Sequence, residues 1–288
     1  MPGTLKTNRT NIDLPMEVSS TILQKTQETS IVMQLAQQIS LPGRGVVVPV
    51  ITGDPEAAWV GETEKKPVSH PTMDTKKMQA YKLAVIVPFS QEFLRDNAAL
   101  YSALTARIPL VLANTFDATV FGRTATPGEN FDQLKSCTAV DIETDPYKGF
   151  VTSELDISEN DGIMSGIVLS PQGRAILLEA VDANKRPLFI DSIAASAIPT
   201  ILGHPTYASK NAYTSGNPSV LGYTGDWTKA VYGIVSSLDM AVSDTATITD
   251  GDTQINLWER NMIAIRAEME IGFRADLTVF NRLTTKSA

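Results

Sequence analysis

Cysteine and histidine are almost absent from this chain: Cys137, His70 and His204 are the only three among 288 residues. A single cysteine allows neither an intrachain disulfide nor a thiolate metal cluster, and it fits a reducing compartment. His70 and His204 stand far apart with no second ligand at a metal-binding spacing, so no metal site is expected. Basic charge is short as well. Lys and Arg number 24 against 32 Asp and Glu, for a net charge of −8. Sequence-specific nucleic-acid binding needs a basic face to displace counterions, so this balance argues against a tight grip on nucleic acid but leaves room for lying beside it. No apolar run approaches ~18 residues, so no membrane-spanning helix is expected. The opening MPGTLKTNRTNIDLP has no apolar segment of the signal-peptide kind.

Catalytic signatures are missing too. Gly162-Ile-Met-Ser165-Gly166 has the wrong spacing for a nucleophile elbow. No phosphate loop and no dinucleotide fingerprint occurs. Asp244, Asp250 and Asp252 do not keep the register of a calcium loop. Glu62/Glu64 and Glu268/Glu270 are alternate residues on solvated faces, and Cys137 reads as a small core residue. No catalytic residue, metal or cofactor is expected. Apolar residues make up 43% and charged residues 19%, an ordinary globular balance with material for a sizeable core.

What is present is one conspicuously long connection, Gly53–Met78 (GDPEAAWVGETEKKPVSHPTMDTKKM). Loops beyond about 12–15 residues are uncommon in compact domains and are usually functional or disordered. This one is poor in Gly and Ser, mixes charges of both signs and carries Trp59 and Met73, which need a surface to pack on. It reads as an arm reaching to another molecule. Trp59 is the expected anchor, because interface hot spots favour Trp. Glu62, Glu64, Lys65 and Lys66, with Lys76 and Lys77 further on, offer either sign to a neighbour and would set register more than affinity.

The arm is flanked by two strand-like runs, 44–52 and 79–88, and neither could stand as an isolated hairpin. In the second, Tyr81, Leu83, Val85, Val87 and Phe89 share one face. Upstream, Met16–Ile39 has helical spacing, with Thr29 or Ser30 as an internal cap and Pro42-Gly43 as its close. Downstream, Asp96 or Asn97 should cap a long helix over Ala98–Phe121, ended by Gly122, with Leu100, Leu104, Ile108, Val111 or Leu112, and Thr115 or Phe116 as its apolar stripe. Pro109 should kink or break it near residues 105–109, at a cost of roughly 3 kcal/mol. Residues 123–145 read as loop, 166–169 as a buried strand and 172–183 as a helix opened by Ser170-Pro171. Residues 203–226 read as turns, 230–236 and 245–249 as strands, and Asp250-Gly251 as a hairpin turn. Asn261–Arg274 is the best strand. Its odd positions are Ile263, Ile265, Ala267, Met269, Ile271 and Phe273, against Arg266, Glu268, Glu270 and Arg274. It spans about 45 Å and could return to pair beside the arm.

The order of these features resembles the major capsid protein of tailed bacteriophages, the Hong Kong 97-type fold. The residues that carry the resemblance are TSIVMQLAQQI, VVVPV, AAWVGETEKKPVS, KLAVIVPFSQEFLRD, ANTFDATVFG, GIVLSPQGRAILLEAVDANKRPLF, ILGHP and WERNMIAIRAEMEIGF, running from about Leu14 to Leu283. It implies an α+β fold with an N-arm (1–32) and an E-loop (53–78). The peripheral domain would be built from 33–52, 79–125 with the spine helix, and 254–288, and the axial domain from 126–253. It also implies hexamers and pentamers of many copies tiling an icosahedral shell around DNA, in a virion assembled in the host cytoplasm. Scaffolding, portal and decoration proteins are the further partners it suggests; the short stretch before the core implies a separate scaffold or none. Some relatives crosslink an E-loop lysine to a neighbour's asparagine, for which Lys65, Lys66 and Asn281 are the candidates here. A nanocompartment shell enclosing enzyme cargo, and an enzyme with an unrecognised site, are the competing readings.

Overall fold

The computed structural model describes residues 26–27, 29–43, 45–53, 59–60, 65–66, 68, 70, 72–91, 97–180, 200–235, 239–251 and 253–286. Two mixed sheets and one long helix dominate. In chain order the helices are α1 (Ile31–Leu35), α2 (Asn97–Val120), α3 (Pro146–Glu159) and α4 (Pro171–Glu179). The strands of the first half are β1 (Gln37–Ser40), β2 (Val46–Gly53), β3 (Thr72–Met78), β4 (Tyr81–Ser90), β5 (Thr138–Asp141) and β6 (Gly166–Leu169). Those of the second half are β7 (Thr200–Ile201), β8 (His204–Ala208), β9 (Val220–Gly225), β10 (Ala230–Ile234), β11 (Asp239–Ser243), β12 (Thr247–Asp250), β13 (Thr253–Asn256), β14 (Met262–Ala275) and β15 (Phe280–Thr284).

The alternation expected near the C-terminus forms β14, and its length has a structural reason. Along one edge it pairs with β4, from Met262 opposite Ser90 to Ile271 opposite Tyr81. Along the other edge two short strands share it end to end: β11 over Ala264–Glu268 and β10 over Ile271–Ala275. β1 adds to β10 in parallel and completes the first sheet. Ile263, Ile265, Ala267, Met269, Ile271 and Phe273 are buried. On the opposite face Lys82 lies 3.6 Å from Glu270, and Arg266 lies 3.5 Å from Glu268. The first is a cross-strand pair that favours the register, the second runs along β14 itself, and both add little stability.

α2 packs on this sheet and runs unbroken through Pro109, so the expected break is absent. Of the alternatives for its apolar stripe, Leu112 and Phe116 are buried, whereas Val111 and Thr115 are exposed. Phe116 makes edge contacts with Phe131 and Phe273, at centroid distances of 6.4 and 6.3 Å. Such aromatic pairs add about 0.5–1.5 kcal/mol beyond the area they bury. Gly122 ends the helix at φ +72°, a left-handed turn that glycine takes without steric cost.

The second sheet has the order β5–β15–β9–β6–β8–β7. It differs from the expectation in two places. Residues 203–226 are not only turns, because β9 is a central strand buried at every position. Its composition, VLGYTG, is explained by crowding. A Cβ on Gly222 would meet the carbonyl oxygen of Val168, and one on Gly225 would meet the Phe280 ring. α3, which no apolar periodicity announced, covers the sheet through Phe150, Ser153 and Ile157, with Asp145 capping its N-terminus at Lys148 N (3.1 Å). Trp227 packs edge-on to Phe280 at 5.2 Å, and Tyr223 stacks on Phe121 at 5.1 Å.

The expected helix over residues 16–39 is also revised. Residues 16–25 lie outside the described residues. Ser30 does act as a cap, accepting from Met33 N at 3.1 Å. The helix then ends at Leu35, and Ile39 belongs to β1. α4 stops at Glu179, earlier than expected, although Ser170 caps it and Pro171 occupies its first turn. Asp250-Gly251 turns the β12–β13 hairpin as expected, with Gly251 at φ +59°. Sheet membership also crosses the expected domain limits: 230–234 and 239–243 pair in the first sheet, and 280–284 pair in the second.

Candidate functional site

The arm is built differently at its base and at its tip. Its last seven residues form β3, which pairs with β2 from Val46 opposite Met78 to Gly53 opposite Thr72. The expected flanking strand 44–52 is thus half of a separate two-stranded ribbon, while β4 goes to the first sheet. An isolated two-stranded ribbon is marginal in water, so this one needs support at its root or along its length. Beyond the ribbon, Trp59 is wholly exposed at 104% of its reference area, and Val68 is exposed at 77%. A tryptophan so placed has no packing surface in its own subunit. Lys65, Lys66, His70 and Lys77 are exposed, and Lys76 lies in β3. Glu62 and Glu64 lie outside the described residues.

The root is where sequence reasoning found nothing and the fold is most specific. Gly233 of β10 and Gly272 of β14 face each other across the two strands. Two missing side chains at paired positions leave a notch on the sheet. Met78 and Leu41, both buried, drop into it. A Cβ on Gly233 would collide with Leu41 and come within 3.1 Å of Met78 Sδ; one on Gly272 would lie 2.7 Å from Gln79 O and 3.3 Å from Met78 Cγ. On the other leg of the ribbon, Gly45 turns at φ +83° and passes close to Met78 O. The role of each glycine depends on tertiary neighbours, so no local pattern announces it.

A second anchoring point receives the N-terminal segment. Asp117 of α2 is buried and accepts hydrogen bonds from Ser30 Oγ (2.6 Å), Ile31 N (3.1 Å) and Val32 N (3.4 Å). It therefore caps α1 from another element. Burial pushes its carboxyl pKa up from 3.8 to about 6, against the lowering effect of those three donors. A helix reading of the sequence would place Asp117 on a polar face, and only the contact with Ser30 reveals its function.

The remaining candidates carry no reactive geometry. Cys137 is buried, and desolvation pushes its thiol up to about 12, far from the thiolate form that reacts. His204 lies 3.4 Å from Glu154 and His70 is exposed. Ser165 Oγ accepts from Trp227 N at 2.8 Å and braces a turn. Among the described residues no group of three His, Cys, Asp or Glu is placed to hold a metal ion, and no helix is long and apolar enough to cross a membrane. Asn281, the asparagine suggested for a crosslink, is fully buried in β15, and its amide donates to Ser153 O and Oγ at 3.2 Å each. In this conformation it is closed to a lysine from another subunit.

An exposed arm carrying an uncovered tryptophan, on a two-sheet body with a long packed helix, gives the molecule the form of an assembly subunit. Comparison with known proteins gives that class its family. The phage capsid family matches residues 12–276, and the chain belongs to it. The chain is 30% identical over 285 residues to the probable major capsid protein gp17 of Mycobacterium phage L5, covering 92% of this chain and 86% of the relative. It is 27% identical over 279 residues to the major capsid protein of Staphylococcus phage 80alpha, covering 93% and 83%. Among solved structures, a chain from Mycobacterium phage Adephagia superposes with a TM-score of 0.73 at 21% identity, covering 90% of this chain and 91% of that one. A chain from a native GTA particle capsid computed with C5 symmetry gives 0.63 at 16% identity, covering 100% and 95%. The architecture is the Hong Kong 97-type α+β fold.

Proposed function

We infer that this chain is the major capsid protein of a tailed phage, a structural subunit rather than an enzyme. Many copies assemble as hexamers and pentamers into an icosahedral head that encloses double-stranded DNA. The observation that carries this reading is the arm: a two-stranded ribbon, rooted in the body sheet, that holds an uncovered Trp59 away from its own core. A closed shell needs heterologous contacts between copies and arms that tie one copy to the next. Residues 1–32 act as the N-arm and 53–78 as the E-loop. The peripheral domain is centred on α2 and β14, and the axial domain on the second sheet. Trp59 seats in a neighbour, and Glu62, Glu64, Lys65, Lys66, Lys76 and Lys77 set the register of that contact. The net charge of −8 suits a wall that contains DNA without gripping it. Scaffolding, portal and decoration proteins are the further partners in the virion, and assembly takes place in the host cytoplasm.

Electron microscopy of the purified protein tests this reading: closed icosahedral particles support it. A stable monomer at high concentration with a turnover activity would sink it. Nuclease-protected DNA of genome length inside the particles separates a phage head from a compartment holding enzyme cargo.

Trp59→Ala is expected to raise the subunit concentration needed for assembly by about tenfold or more, the scale of one interface hot spot. Subunit folding should be unaffected, because Trp59 touches nothing at home. Light scattering against concentration, with melting of free subunits as control, measures both. An unchanged threshold would remove Trp59 from the interface.

A further inference from the structure

We propose that Arg274 is the positioning residue that fixes the direction in which the arm leaves the subunit. This deepens the assembly reading and rests on it. The guanidinium sits where three parts of the chain meet: the arm root, the body sheet and the segment 126–133 that leads to the second sheet. Its Nε and one terminal nitrogen donate to the same acceptor, the carbonyl of Lys77, at 2.9 and 2.7 Å. That nitrogen also reaches Asn130 Oδ1 at 3.1 Å, and the other terminal nitrogen pairs with Asp132 Oδ1 at 2.7 Å.

The supports are themselves fixed. The second oxygen of Asp132 accepts from Ala275 N at 3.1 Å, and Asp132 N donates to Phe273 O at 3.2 Å. The amide nitrogen of Asn130 donates to Tyr81 Oη at 3.2 Å, and its side-chain amide donates to Gln79 Oε1 at 3.3 Å. The side chains of Arg274 and Asp132 keep only 12% and 14% of their exposure, so the pair escapes most of the screening that weakens surface ion pairs.

The acceptor on the arm is a main-chain carbonyl one residue before buried Met78. Met78 in the glycine notch fixes where the root sits, and the fork on Lys77 O fixes its orientation about that point. A planar fork can hold one carbonyl with two donors and a carboxylate with a third, and a lysine cannot reproduce this. A small rotation at the root is magnified along the ribbon. About seven residues at ~3.3 Å each give a lever of more than 20 Å, so a turn of a few degrees at Lys77 shifts the tip by an ångström or more.

The test is hydrogen exchange on free capsomers, followed by assembly and cryo-electron microscopy of the particles. Arg274→Gln should raise exchange about tenfold in peptides covering 72–80 and leave those covering 263–270 unchanged. Assembly should then give open sheets or mixed diameters in place of uniform shells. Arg274→Lys should fall between Arg274→Gln and the parent chain. Unchanged exchange at 72–80, or faster exchange there with uniform particles, would overturn the proposal. Should Arg274→Gln unfold the subunit, Asp132→Asn serves as the second variant. The same local increase supports the latch, and its absence assigns Arg274 to general stability and overturns it. Closed shells from a chain lacking residues 54–71 would instead refute the role of the arm, while exchange at the root would still report on the latch.

Discussion

Replacing residues 54–71 by a short Gly-Ser turn is expected to abolish closed particles while leaving a folded subunit. The cut removes Trp59, Val68 and the Glu62–Lys66 cluster but keeps β2, β3 and the Met78 root. None of the described residues that it removes (59–60, 65–66, 68 and 70) is buried, and Trp59 and Val68 are among the most exposed large apolar residues. The melting temperature of the free subunit should therefore move little, as expected for changes away from a core. Assembly should fail entirely, because each copy loses its tie to the next and the shell contains many such ties. Electron microscopy and sedimentation read the outcome. Normal particles from this deletion would show that the arm is not needed for closure.

Asp117→Ala should destabilise the subunit by about 2–4 kcal/mol, the range for leaving buried donors without their charged acceptor. Ser30 Oγ, Ile31 N and Val32 N would all lose their partner, and the N-terminal segment would detach from α2. Urea unfolding of free subunits measures the loss. The same carboxyl gives a pH signature. Its folded pKa, about 6, lies above the ordinary value of 3.8, so the folded state holds the proton more tightly than the unfolded chain. The resulting stabilisation is fully present below about pH 4 and is lost as pH rises through about 6, a change on the order of 2–3 kcal/mol. Asp117→Asn removes this titration. The stability of the parent chain minus that of Asp117→Asn should fall between pH 4 and pH 7. A difference that stays level, or rises, would contradict the burial assigned to Asp117.

Elements whose cause is local could be read from the sequence. β14 and β4 show their alternation because one face is buried and the other solvated. α2 shows its stripe, and Asp250-Gly251 its turn. The elements that escaped have causes elsewhere in the chain. Ile31, Leu35 and Ile39 keep helical spacing, yet Ile39 is drawn into β1 by β10, with Gly233 as its partner. α3 lacks a clean period because its solvent side also carries Tyr147, Val151 and Leu155, all exposed. β9 resembles a glycine-rich loop because its glycines make room for Val168 and Phe280. The candidate site divides the same way. The arm announces itself by length and by Trp59, whereas Met78, the Gly233–Gly272 notch, Arg274 and Asp117 matter only through residues brought close by folding.

β15 lies between β5 and β9, parallel to the first and antiparallel to the second. The second sheet therefore stays split, with β5 unpaired on that side, until residues 280–284 have been synthesised and have left the ribosome. Closure of this sheet is therefore a late step in folding, since contacts so distant in sequence form after local ones. A copy in which β15 has not yet docked offers no finished second sheet to its neighbours, so half-folded copies would not seed shells prematurely.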